Sequence, residues 1–107
     1  MRQTTKFEKI ATRLVARPGK RIRLKNHDPG WTGPIRTEKQ AQALLADGVE
    51  RLAKQQSVLY AQDTYSLLLI FQAMDAAGKD STIRHVMSGV NPQGCQVFNF
   101  KAPSAEE

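Results

Sequence analysis

A chain of 107 residues is at most one small domain, and 40% hydrophobic with 24% charged residues is ordinary for a globular protein. One cysteine, Cys95, excludes a disulfide framework and a thiol-rich metal site. The net charge of +6 is uneven: Met1 to Arg36 holds ten Lys and Arg against Glu8 and Asp28, whereas Thr37 to Glu107 is net −2.

The basic third comes first. Its charge suggests a polyanionic partner, such as nucleic acid, polyphosphate or a membrane surface, with a merely solubilising arm as the plain alternative. Phe7, Ile10, Leu14 and Val15 share one face of a short basic helix, faintly like a transit peptide or a membrane-surface helix. Glu8 and the shortness of the apolar face weaken that reading. Arg17-Pro18-Gly19-Lys20-Arg21 breaks the helix, and Asp28-Pro29-Gly30 and Gly33-Pro34 are loop chemistry. Between them Arg21-Ile22-Arg23-Leu24-Lys25 alternates and reads as a short edge strand, with Trp31 as a packing anchor. Residues 1–36 therefore read as a basic extension.

Thr37-Glu38-Lys39-Gln40 fits a capping box. Behind it Ala41, Leu44, Leu45, Gly48, Leu52, Leu59 and Tyr60 keep helical spacing, interrupted by Gln55 and Gln56. This predicts an amphipathic helix of roughly twenty residues, longer than the usual one. Tyr65-Ser66-Leu67-Leu68-Leu69-Ile70-Phe71 follows, an unbroken apolar run that reads as a strand buried on both faces of a parallel sheet. It is too short to cross a bilayer. No secretory signal is visible, and the cytoplasm is the default location. A helix is expected over Ser81 to Met87, then a turn at Asn91-Pro92-Gln93-Gly94 and a second strand at Gln96 to Phe100. The order strand, helix, strand predicts an α/β fold with a right-handed crossover between two parallel strands.

The segment between the first strand and its helix carries the chemistry. Ala73 to Asp80 keeps Gly78 and Lys79 in the register of G-x-x-x-x-G-K-[ST], with Ala at the first position and Asp at the last. The first backbone N–H groups of a helix lack internal partners, so they suit phosphate. Ala76, Ala77 and Gly78 are small enough for the backbone to approach it, and Lys79 adds an ammonium that follows the transferring group. Asp75 would repel phosphate unless it binds Mg²⁺ or orients the acceptor oxygen; a helix cap is the simpler alternative. Asp80 stands where a Mg²⁺-binding hydroxyl is usual, and Ser81 or Thr82 can supply one, or else serve only the first turn. Arg84, one turn on, can reach a second phosphate, with an ordinary surface arginine as the more common outcome. His85 and Cys95 read as structural.

Phe71-Gln72-Ala73-Met74-Asp75-Ala76-Ala77-Gly78-Lys79-Asp80, with Thr82-Ile83-Arg84 and Gly89-Val90-Asn91-Pro92-Gln93-Gly94, resembles the second family of polyphosphate kinases. The branch it looks closest to phosphorylates nucleoside mono- and diphosphates. The resemblance runs from about Leu24 to the end and includes His27-Asp28-Pro29. It implies a thymidylate-kinase-like P-loop fold, here only its N-terminal part over residues 37–107. It implies Lys79 as the essential lysine, Asp75 as the catalytic aspartate and tentative metal ligand, and Ala76 to Ser81 with Arg84 around the phosphate. The substrates implied are inorganic polyphosphate and a nucleotide such as AMP or ADP. Mg²⁺ is the implied cofactor, and the full-length protein is expected to be a homo-oligomer without a specific nucleic-acid or membrane partner. Ala73 replaces a glycine of other branches and Ser81 another, both small. Relatives continue past Glu107 into a second metal segment and a lid, so the chain reads as truncated, with weak turnover or none. The rival readings are an ATP-dependent P-loop small-molecule kinase and a non-enzymatic polyanion-binding module.

Overall fold

A computed structural model describes residues 6–74 and 76–100. Its elements are three α-helices, α1 (Lys6–Leu14), α2 (Glu38–Gln62) and α3 (Lys79–Val86), and two 3₁₀ turns at Leu24–Asn26 and Pro92–Gly94. The chain divides into two units, residues 1–44 and 45–107.

In the first unit α1 places Phe7 and Ile10 on its half-buried side, while Leu14 stays exposed. The loop after it is held by local bonds. Asp28 Oδ1 accepts from Gly30 N (2.8 Å), and Trp31 N donates to the Asp28 carbonyl (3.1 Å). Gly33, at φ +59°, lies against the Trp31 ring, where a Cβ would meet Cζ2 at 3.0 Å. On the indole sits the Arg13 guanidinium, 5.2 Å from the ring centroid. Trp31 is thus the anchor expected of it.

The start of α2 follows the capping expectation with one change. Thr37 Oγ1 accepts from Gln40 N (3.2 Å), while Gln40 Oε1 reaches back to Arg36 N (2.8 Å), one residue before the cap. The helix runs 25 residues, longer than its spacing predicted. It stops where Asp63 turns to φ +51°, a conformation that aspartate tolerates better than most residues.

In the second unit the turn after α3 packs on α2. Gly89 lies so close that a Cβ there would stand 2.8 Å from Val49 Cγ1. The Gln56 carboxamide pairs with both backbone groups of Asn91: Nε2 donates to its carbonyl (3.3 Å) and Oε1 accepts its N–H (3.4 Å). Asn91 Oδ1 in turn caps the 3₁₀ turn by accepting from Gln93 N (3.0 Å), with Pro92 at the first position.

The expected α/β architecture is not what the described residues form. They are helical, with no strand and no sheet. The two parallel strands expected at Tyr65 to Phe71 and Gln96 to Phe100 are absent, because neither segment exchanges backbone hydrogen bonds with a neighbour. A strand buried on both faces needs layers above and below it. Leu68 and Ile70 are each 80% exposed and Phe100 89%, so no such layer exists among the described residues. Two strands alone would also be marginal. The alternating Arg21 to Lys25 stretch likewise has no ladder, and Leu24–Asn26 closes instead into a 3₁₀ turn with Asn26 N bonded to the Arg23 carbonyl (3.0 Å).

No described residue is buried. The half-buried stripe of α2, through Gly48, Val49, Leu52, Ala53, Gln56 and Leu59, is what stands in for a core. No helix among the described residues is long and apolar enough to cross a membrane.

Candidate phosphate-binding site

The loop before α3 turns sharply twice. Ala76 has φ +61°, and Gly78 has φ +90° and ψ 12° as the residue that caps the helix. A cap position normally has extended backbone. The left-handed value here is open to glycine at no steric cost, whereas an L-residue pays roughly 1–2 kcal/mol. Gly78 is therefore required by the shape of the turn, and Ala76 holds its conformation under strain.

These turns set the direction of the amides. Ala77 N donates to the Met74 carbonyl (3.2 Å), so it closes the loop. The amides of Gly78, Lys79, Asp80 and Ser81 have no partner among the described residues. They are the unsatisfied donors of a helix start, together with the positive end of its dipole. Lys79 is the first helical residue and is half-buried, without an ion-pair partner among the described residues. Arg84 lies on the exposed side one turn further on.

The two hydroxyls of the first turn separate. Thr82 Oγ1 donates to the Gly78 carbonyl (2.8 Å), which also accepts Thr82 N (3.0 Å). Thr82 thus secures the first turn, and its proton is committed there. Ser81 Oγ carries no such bond. Asp75, read from sequence as the catalytic and metal-binding aspartate, lies outside the described residues.

Among the described residues no three His, Cys, Asp or Glu side chains gather as a metal cluster. Magnesium needs no such cage, since it keeps several waters and takes one or two carboxylates plus substrate phosphates. Asp80, exposed in the first turn of α3, is a carboxylate of that kind. One exposed carboxylate is what the described loop residues offer a divalent cation.

The loop and the Gln56 pairing belong to one continuous stretch. Met87 N caps α3 on the Ile83 carbonyl (2.9 Å), and four residues later Asn91 is held by Gln56. Sequence reasoning took Gln56 for a polar interruption. The signal was its position four residues after Leu52 and three before Leu59, on the apolar side of the helix.

A glycine-opened helix start with lysine as its first residue offers donors and positive charge of the kind that suit an anion. Residues 36–107 match the family model of polyphosphate kinase 2, and the chain belongs to that family. A protein of Rhodopseudomonas palustris, named an ADP-polyphosphate phosphotransferase, is 67% identical over 64 residues, which cover 60% of this chain and 22% of that protein. Another, from Meiothermus ruber and named an AMP/ADP-polyphosphate phosphotransferase, is 47% identical over 92 residues, or 84% of this chain and 34% of that one. The chain thus matches between about a fifth and a third of the length of these relatives.

Proposed function

We propose that the loop from Ala76 to Ser81 grips a phosphoryl group of inorganic polyphosphate, and that the protein serves phosphate transfer between polyphosphate and a nucleoside mono- or diphosphate. The observation that carries this reading is the run of four amides, Gly78 to Ser81, without partners among the described residues, at a helix start whose first side chain is Lys79. Family membership and the names of the two relatives support the donor and the acceptor class.

In this reading the amides bind the non-bridging oxygens. The Lys79 ammonium offsets the charge that spreads over them as the phosphoryl group leaves one oxygen for another. Ala76 and Ala77 keep the approach open, and Arg84 steadies a neighbouring phosphate. Asp80, with Asp75, would hold Mg²⁺, whose part is to neutralise charge on the phosphates. Asp75 also orients the acceptor oxygen.

The test is a donor exchange. Long-chain polyphosphate with Mg²⁺ and either AMP or ADP should yield the next higher nucleotide, at a low rate. Lys79→Ala should slow that yield about a hundred- to a thousandfold, the usual loss for one transition-state contact. Phosphorylation driven by ATP on a small-molecule acceptor, with polyphosphate inert, would refute the reading.

A further inference from the structure

The first unit contains a cationic loop that the phosphate site does not use. Arg13 lies 5.2 Å from the Trp31 ring centroid, so residues 14–30 are closed into a loop by their own ends. Inside the loop stand Arg17, Lys20, Arg21, Arg23 and Lys25, all exposed, against the single carboxylate of Asp28. That carboxylate is already engaged by Gly30 N (2.8 Å). Lys20, Arg21, Arg23 and Lys25 have no ion-pair partner among the described residues. Gly19, at φ +79°, and the 3₁₀ turn at Leu24–Asn26 fold the loop without hydrogen-bonding a single basic side chain into it.

We infer that this loop is a separate docking surface for the long-chain form of inorganic polyphosphate, an inference that rests on the donor assignment made above. A dense, flexible polyanion gains most from several unpaired cations held on one closed loop, through the release of its own counterions. Nucleic acid is the other polyanion to weigh. Binding single strands commonly relies on aromatic faces on which bases stack. The loop's one aromatic is Trp31, whose ring is occupied by Arg13 and packed against Gly33. The chemistry left over is charge without stacking, which suits a chain of phosphates that carries no bases. A polymer held at the loop raises the local concentration of its own free phosphates, and no fixed arrangement of the two units is required.

Fluorescence anisotropy separates the possibilities with three probes: long-chain polyphosphate, tripolyphosphate and a single-stranded oligonucleotide of charge equal to the long chain. Arg21, Arg23 and Lys25 are replaced together by Gln. Because all three are exposed, far-ultraviolet circular dichroism should not change. The expected result is a loss of about tenfold or more in affinity for long-chain polyphosphate at low salt, with a salt dependence shallower by about two to three charges. Tripolyphosphate should bind as before. Unchanged affinity for the long chain would overturn the proposal. So would an oligonucleotide that binds the native protein as tightly as the long chain does. Failure of the donor assignment would look different: Lys79→Ala would leave tripolyphosphate binding untouched, whatever the triple variant did.

Discussion

Gly78 carries the conformational demand of the candidate site, and it can be tested one residue at a time. With φ at +90°, Gly78→Ala should strain the turn by roughly 1–2 kcal/mol and weaken phosphate binding, although no neighbouring atom would meet the new Cβ. Ala76→Gly should do the opposite or nothing, because at φ +61° glycine relieves strain that alanine holds. Calorimetric titration with tripolyphosphate reads both. Equal losses from the two substitutions would show that the turn's conformation is not what matters. The helix expected over Ser81 to Met87 begins two residues earlier, which makes Lys79 its first residue. The sequence could not reveal the division of labour between Ser81 and Thr82. That depends on which hydroxyl meets the Gly78 carbonyl, a matter of the helix's rotational phase rather than of residue type.

At the scale of elements, α2 and the turn after α3 hold each other through contacts that include Gly89 on Val49, Gly94 on Gln56, and Gln56 on Asn91. Gly89→Ala would drive a Cβ to 2.8 Å from Val49 Cγ1 and should cost about 1–3 kcal/mol, as overpacking does. Gln56→Ala removes the partner of both Asn91 backbone groups and should cost roughly 1 kcal/mol, while Gln56→Glu keeps the acceptor and loses the donor. Hydrogen exchange at the Asn91 amide is the discriminating measurement. Protection that survives Gln56→Ala would mean the pairing does not hold the turn. The existence of α2 was legible because Thr37 and the apolar spacing agree with each other. The turn's docking was not, since a close glycine and a bidentate carboxamide leave no periodic trace.

Taken as a whole, the molecule carries apolar segments for which the described residues supply no cover. Tyr65 to Phe71 and Gln96 to Phe100 are rich in exposed apolar side chains, and their composition led to the expectation of two parallel strands. Composition does report that a segment suits a sheet, but a strand exists only through its neighbour's hydrogen bonds, and none is present among the described residues. Because these side chains are exposed, Leu68→Asp and Ile70→Asp should change thermal stability by no more than about 0.5 kcal/mol and reduce self-association. A loss of several kcal/mol in unfolding, or unchanged light scattering, would contradict that exposure. The charge asymmetry, by contrast, was plain from the order of residues. What the sequence lacked was the closure of residues 14–30 by Arg13 and Trp31, eighteen positions apart, which turns a basic stretch into a loop with a defined surface.

The role of the loop before α3 turns on whether the open amides before and within the first turn of that helix take hold of phosphate. Backbone amide resonances followed by NMR during titration with tripolyphosphate address this directly. Large, saturable shifts should appear at Gly78 to Ser81, fade in Lys79→Ala, and leave Asn91 to Cys95 in place. Shifts confined to residues 17–25, with the Gly78 to Ser81 amides unmoved at saturation, would contradict it.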